Sequence, residues 1–118
     1  MNTSPETTEV LGTFVTRAKD ATRRGAPAFL RLLELAEERD SGQIARIARF
    51  LAATYNGRTF PLDLYELRAV DIAISDDMLR CLDALRWSAA DLHTLIPDGD
   101  ARVRAVIERW GLRWPRAS

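Results

Sequence analysis

Proline and glycine divide this chain into short segments, and this division is the feature that most constrains its fold. A proline inside a helix costs about 3 kcal/mol, but it is tolerated at the first helical position, and glycine is favoured just past a helix end. The residues that mark such starts, ends and turns are Pro5, Pro27, Pro61, Pro97, Pro115, Gly25, Gly42, Gly57, Gly99 and Gly111. The sequence therefore predicts an all-α fold, a single compact bundle of five to six helices with short connections.

Apolar residues recur at helical spacing between these breaks, and no stretch alternates with the period of a strand. Gly25 is predicted to separate a first helix, which begins near Ser4, from a second helix that runs from Pro27 to about Arg39. The third predicted helix begins with residues 40–43 and ends before Asn56, and short helices are predicted at residues 64–70 and from Ser88 to about Ile96. A longer helix is predicted to start between Asp71 and Ser75 and run to Trp87, and the last covers residues 101–110. Residues 1–118 are predicted to form one helical domain, with frayed ends at residues 1–3 and 115–118.

The apolar stripes of these helices predict the core. Five residues on three of the longer helices are expected to pack together: Leu33, Ile47, Leu51, Met78 and Leu82. The first helix is expected to bury a stripe of its own: Val10, Leu11, Phe14, Val15, Ala18 and Ala21. Capping boxes are predicted for Asp40 with Gln43, for Asp63 with Glu66 and for Ser88 with Asp91, and Asp100 is predicted to cap the last helix.

Composition excludes some classes of protein. The chain has 17 basic and 17 acidic residues, so bulk charge gives no reason to expect nucleic acid or an acidic membrane as partner. The lone cysteine, Cys81, cannot form an intramolecular disulfide. No apolar stretch is long enough to span a bilayer, and residues 1–9 lack the pattern of a signal peptide. We expect a cytoplasmic protein without a membrane partner.

The middle of the chain resembles a known family. The stretches FLRLLELAEERDSGQIARIARFLAATYNG and FPLDLYELRAVDIAISDDML carry the likeness, through the turn at residues 40–43, the helix with Arg46 and Arg49, and the run from Val70 to Met78. They are similar to a family of short uncharacterised bacterial proteins, a domain of unknown function often encoded on plasmids and integrated mobile elements. The likeness covers about residues 29–79, and it implies a genomic context but no catalytic residue.

Residues 61–100 carry three basic and nine acidic side chains, a net charge of −6. The centre of this block is a candidate partner-binding face: Asp71, Asp76, Asp77, Arg80 and Asp83. Asp76, Arg80 and Asp83 have the spacing of ion pairs within a helix, and carboxylates in a first turn favour the helix dipole. A solvated helix start is the plain alternative. A metal site is disfavoured, because one short segment supplies all the carboxylates.

Residues 101–118 carry five basic residues and one acidic residue. Four of them are candidate nucleic-acid contacts: Arg102, Arg104, Arg109 and Arg113. Interleaved arginine and tryptophan suit single-stranded nucleic acid, but they also suit a C-terminal lid in which Trp110 and Trp114 cover the core. Asp98 and Asp100 would oppose entry into a DNA groove.

No signature of catalysis, cofactor binding or metal binding emerges, and no such residue is predicted. A catalytic pair of His93 and Cys81 has no supporting motif. The sequence favours a small non-enzymatic accessory or protein-interaction protein. Its expected partner is another protein, bound through an acidic helix face or an exposed apolar patch. A DNA-binding regulator that uses the basic C-terminal segment is the alternative, and a small enzyme is the third reading.

Overall fold

A computed structural model of the chain describes residues 5–87 and 90–113. Within these residues the elements are α1 (Pro5–Glu38), α2 (Gly42–Tyr55), a 3-10 helix (Leu64–Arg68), α3 (Ile72–Trp87), a second 3-10 helix (Leu92–Leu95) and α4 (Gly99–Arg109). The described residues contain no strand, so the all-α prediction is confirmed. The predicted number of five to six helices is wrong, because four α-helices form and two of the predicted short helices are 3-10 turns.

The predicted break at Gly25 does not occur, and α1 runs unbroken through Gly25 and Pro27. Its 34 residues span about 51 Å at 1.5 Å per residue, which accounts for the 55 Å long axis of the molecule. α3 packs along it in the opposite direction, since Gly25 meets Ala84 and Arg31 meets Asp77. The packing along α3 stabilises the helix through the proline and outweighs the lost hydrogen bond.

Gly25 serves the contact between α1 and α3 rather than a helix end. A Cβ atom built on Gly25 would lie 2.3 Å from the Cβ of Ala84 and 3.0 Å from the carbonyl oxygen of Arg80. Gly25 and Ala84 are both buried. The missing side chain therefore lets the two helices approach more closely than any other residue would allow.

The core lies between the C-terminal half of α1 and the other three helices. Four of the five predicted core residues, Leu33, Ile47, Leu51 and Met78, are fully buried, which confirms them. Leu82 is only partly buried and packs at the edge of the core. Other large buried side chains are Phe29, Leu32, Phe50, Leu92, Val103, Val106 and Ile107.

The stripe predicted on the first helix is buried only from Ala21 onwards. Val10, Leu11, Phe14 and Val15 are exposed, contrary to the prediction, because α1 extends beyond the end of α3. Ala18 is half-buried and marks the transition.

The predicted capping box of Asp40 and Gln43 is wrong. Ser41 is the N-cap of α2 and its side chain makes no capping hydrogen bond. Gln43 instead joins α2 to the segment before α3: its Oε1 accepts a hydrogen bond from the backbone N–H of Asp71, and its Nε2 donates to Asp71 Oδ2 at 3.1 Å. The Gln43 side chain therefore binds the segment before α3 and does not cap its own helix.

The other predicted caps are confirmed only in part. Asp63 caps the first 3-10 helix, since its Oδ1 accepts from the backbone N–H of Tyr65 at 2.9 Å. Asp91 precedes the second 3-10 helix without a side-chain cap, and its predicted partner Ser88 lies outside the described residues. α4 begins one residue before Asp100, with Asp98 as N-cap in the left-handed conformation at φ 54°.

Candidate functional site

Asp77, one residue of the predicted acidic face, is buried rather than exposed to solvent. Arg31 on α1 makes a bidentate pair with it, at 2.9 Å from Nε to Oδ2 and 2.8 Å from Nη2 to Oδ1. Arg80 donates to the same Oδ1 at 2.8 Å. This ion pair joins α1 to α3, so Asp77 is committed to the fold.

The two arginines decide the ionisation of Asp77. Burial by itself raises its pKa, but the hydrogen bonds and charges of Arg31 and Arg80 outweigh burial and hold the pKa below its ordinary value. The hydrogen bond with Asp77 in turn raises the pKa of Arg31. The pair is therefore ionised at neutral pH.

The remaining acidic residues differ in exposure and in their partners. Asp71 is exposed and bound by Gln43, and Asp76 is exposed. Asp83 pairs with Arg86 at 2.8 Å, not with Arg80 as the spacing suggested. Whether these acidic residues bind a partner stays a prediction.

We expect Asp77→Asn to lower the free energy of unfolding by about 1–2 kcal/mol at pH 7, a value discounted because both arginines are half-exposed and screened. Since the folded-state pKa of Asp77 is depressed, its stabilisation is present above its unfolded-state pKa of about 3.9. It is lost as the pH falls through the folded-state value. Urea unfolding of both proteins from pH 7 to pH 3 should show the difference shrinking. Asp76→Asn, one residue away and exposed, is the matched control, and a difference that stays constant with pH would contradict the assignment.

The basic residues of the C-terminal segment mostly bind back onto the protein. Arg102 makes a bidentate pair with Glu37 at 2.8 and 3.0 Å, and that hydrogen bond raises its pKa. Arg109 donates to the backbone carbonyl oxygens of Ala36 and Arg39 at the end of α1. Of the four candidate nucleic-acid contacts, Arg113 is exposed and Arg104 belongs to a polar cluster.

Trp110 closes the same end of the molecule. Its indole N–H donates to the carbonyl oxygen of Ala36 at 2.9 Å, and its ring packs against the core beneath the guanidinium of Arg109. A lid is thus formed by Trp110, while Trp114 lies outside the described residues. Together Arg109 and Trp110 satisfy carbonyl groups that the last turn of α1 leaves without helical partners.

Two further polar clusters join distant segments, and the sequence did not reveal them. Glu66 is buried and accepts from Arg46 at 3.1 Å and from Arg49 at 3.1 and 3.2 Å. These pairs fix the first 3-10 helix on α2. The spacing of Glu66 from Asp63 had suggested that Glu66 takes part in a capping box. That prediction is wrong, because the Glu66 carboxylate binds two arginines that lie 17 and 20 residues away in the sequence.

The second cluster joins α2 to α4. The Tyr55 hydroxyl donates to Asp100 Oδ1 at 2.6 Å and accepts from Arg104 Nε at 2.8 Å. Arg104 Nε also lies 3.3 Å from Asp100 Oδ2. The His93 ring lies 4.9 Å from the Tyr55 ring, with its Nε2 4.0 Å from Asp100 Oδ1. No sequence spacing could have indicated partners 45 residues apart.

The surroundings of Cys81 determine the reactivity of its thiol, which the sequence left open. The thiol is fully buried in α3, and burial raises its pKa to about 12. It is therefore protonated at neutral pH and a poor nucleophile. Among the described residues, no group of three or more histidine, cysteine or acidic side chains is placed to hold a metal ion.

A group of exposed apolar side chains lies on the N-terminal part of α1. We call residues 5–17 of this helix the overhang, because they extend past the last turn of α3, and residues 10–17 are all exposed. The overhang face comprises four side chains that are half or more exposed: Val10 at 67%, Leu11 at 60%, Phe14 at 52% and Val15 at 50%. Neighbouring apolar side chains exposed to this degree on one helix are typical of a docking surface.

Trp87, the last residue of α3, borders the overhang face. Its ring meets Phe14 edge to face at 5.0 Å between centroids. The guanidinium groups of Arg17 and Arg86 lie 4.8 and 4.9 Å from the ring centroid. A shallow hollow of about 360 Å³ lies here, lined by Val10, Thr13, Phe14, Arg17 and Trp87. The tryptophan thus forms one wall of the surface.

The fold and this surface define a small, compact, all-helical protein that carries a projecting, partly apolar helix end. The chain belongs to a family of unknown function (DUF7673), whose model matches residues 26–111. The comparisons with curated proteins and with solved structures gave no match. None of the helices in the described part of the chain is both long and apolar enough to cross a membrane.

The family match confirms the resemblance seen in the sequence and extends beyond it. The likeness was drawn for about residues 29–79, whereas the family model reaches α4 and Gly111. The contacts of α4 with α1 and α2 lie within the matched region. The overhang lies before residue 26 and is therefore a feature of this chain outside that region.

Proposed function

We propose that the protein is a non-enzymatic interaction protein and that the overhang face is its docking surface. The observation that carries the proposal is the exposure of Val10, Leu11, Phe14 and Val15 beside the partly buried Trp87. Burying an apolar side chain of this size contributes about 1.5–3 kcal/mol. Burying the exposed parts of four such side chains on two helical turns favours association with another helix.

The ion pairs that the charged residues make within the protein favour the overhang face over the acidic face as the docking surface. Asp77 is neutralised by Arg31 and Arg80, and Asp83 by Arg86. Of the C-terminal arginines, Arg102 and Arg109 bind to α1, so few of them are available to phosphates at one time. Within the described residues, the overhang face has the ring contact of Phe14 with Trp87, and its four apolar side chains remain half or more exposed.

The proposal also covers the type of organism and the cellular compartment. The resemblance of residues 29–79 to plasmid-encoded and mobile-element proteins supports a bacterial accessory protein, and the buried Cys81 thiol suits the reducing cytoplasm. In that setting the partner is a protein encountered in the cytoplasm.

Site-specific photocrosslinking in the cells that produce the protein tests the docking surface. A benzophenone amino acid placed at Leu11 or at Val15 should crosslink to a protein, identified by mass spectrometry. The matched control is the same probe at Leu64, which is 71% exposed on the first 3-10 helix. Crosslinks at the control position only, or at none of the three, would overturn the proposal.

The same cells can compare the two surfaces that the sequence suggested. The complex should be lost in Leu11→Asp, and it should persist when Asp76 and Asp83 are both replaced by lysine. Loss in the lysine variant with retention in Leu11→Asp would make the acidic residues of α3 the interface.

A further inference from the structure

We infer that the partner on the overhang face is a second copy of this chain, bound with its own overhang antiparallel to the first. The inference rests on the proposed function, since it names the occupant of that docking surface. It would make the protein a two-fold symmetric dimer in which each overhang fills the space beside the other.

The direction of the overhang face supports an antiparallel pair. The overhang face continues the stripe that, from Ala21 on, is buried against α3 and the rest of the core. It therefore points into the space in line with α3, just past Trp87. Two helices in contact through this face cannot run parallel, because the continuation of each α1 would then occupy the place of the other protomer's α3. In the antiparallel arrangement the two covered halves lie at opposite ends and do not collide.

The lengths agree with this arrangement. The overhang has 13 residues and spans about 20 Å. When two overhangs overlap completely, the two-fold axis passes near residue 11, the middle of the range 5–17. Leu11 then faces its own copy, and the end of each overhang lies beside the Trp87 of the other protomer. A two-fold interface of this kind is self-complementary, as most homodimer interfaces are.

The order of charges along the helix also suits an antiparallel copy. In the sequence, Glu6 and Glu9 precede the apolar residues, and Arg17 and Lys19 follow them. Antiparallel pairing in this register brings the helix start that carries Glu6 beside the end of the partner's overhang that carries Arg17, whereas parallel pairing would place like charges together. Asp20, the acidic residue among the basic ones, is already paired with Arg23 at 2.9 Å.

The amino acids of the overhang give a further reason for a helical partner. Its 13 residues include four threonines, two valines and a glycine, all weak helix formers. A short helix of this composition gains most of its stability from packing of its apolar side rather than from propensity. Packing of two overhangs against each other would stabilise the helical conformation of both.

Sedimentation velocity of the purified full chain, from low to high micromolar concentration, tests the inference. We expect a dimer whose dissociation constant rises about tenfold or more in Leu11→Asp, because both copies of Leu11 lose their apolar contact. Leu64→Asp is the matched control and should leave the dimer unchanged. Circular dichroism should show that the helices after the overhang persist in both variants.

Engineered cysteines test the direction and the register. Helix axes 8–10 Å apart bring Cα atoms that face each other at the two-fold axis to within disulfide range. Leu11→Cys should therefore give a disulfide-linked dimer on mild oxidation, while the buried Cys81 stays reduced. Val15→Cys should not, because four residues on each side of the axis separate its copies by about 12 Å. Equal crosslinking at both positions would indicate a parallel pair and overturn the antiparallel arrangement.

The two proposals fail in different ways. A chain that is monomeric at every concentration overturns the second-copy inference. If photocrosslinks at Leu11 to another protein persist in that case, the proposed function stands. A monomer that binds anionic phospholipid vesicles through Leu11, with no protein crosslink, overturns both proposals in favour of a membrane surface.

Discussion

Gly25→Ala is expected to lower the free energy of unfolding by about 1–3 kcal/mol. The new Cβ would lie 2.3 Å from the Cβ of Ala84, which is well inside contact distance, and 3.0 Å from the backbone oxygen of Arg80. Neither neighbour is the end of a flexible side chain, so α1 and α3 would have to move apart. Urea unfolding followed by circular dichroism measures the loss.

The control for this substitution lies in the same helix. A Cβ built on Gly12 meets nothing within 4 Å, and the residue is exposed. Gly12→Ala should therefore raise the free energy of unfolding by about 0.5–1 kcal/mol, because alanine has the higher helix propensity. Equal effects of the two substitutions, in sign and size, would show that the close contact with α3 does not restrict Gly25.

Gly25 and Pro27 explain why the number of helices could not be predicted from the sequence. Local signals favour a helix end at this place, and both residues are common at helix boundaries. Whether the helix ends here depends on α3, which lies far along the sequence. Ala84 of α3 packs so closely on α1 that only a glycine fits opposite it. Propensity is a weak guide where a long helix pair buries so much of the core.

The all-helical class and most of the core could be predicted, because helical periodicity reports directly on which residues face inward. Leu51, Ile47 and Met78 were identified in this way and are fully buried. Periodicity does not report where the neighbouring helix ends. Phe14 belongs to the same stripe as the buried Ala21, yet it is half-exposed because α3 stops at Trp87.

The charged residues were harder to predict for a similar reason. Spacing along one helix suggested that Arg80 pairs with Asp76 and Asp83. Arg80 instead donates to Asp77, which also binds Arg31, 46 residues away from Asp77. Glu66 likewise followed a capping pattern but lies against two arginines of α2. Contacts between elements decide which carboxylates remain at the surface, and the sequence alone does not specify those contacts.

The candidate docking surface was foreseen only as an unspecified apolar patch. The overhang became visible as a surface once the relative lengths of α1 and α3 were known. Its position before residue 26 separates it from the family region, which contains the core cluster and the ion pairs that join different helices. Apart from Trp87, the proposed interaction thus uses residues outside the family region, so substitutions in the overhang can test it while the core stays intact.

Leu51→Ala is expected to lower the free energy of unfolding by about 2–5 kcal/mol, the largest single effect among these substitutions. Leu51 has no exposed surface and lies in α2 within the main core cluster, so its removal leaves a cavity that the surrounding helices cannot fully close. Leu64→Ala, at a side chain that is 71% exposed, should change the free energy of unfolding by less than about 0.5 kcal/mol. Because both residues lie outside the overhang, neither substitution should alter dimerisation under conditions where the protein remains folded. Denaturant unfolding at equal protein concentration measures both, and a loss below about 1 kcal/mol for Leu51→Ala would mean that α2 does not pack as described.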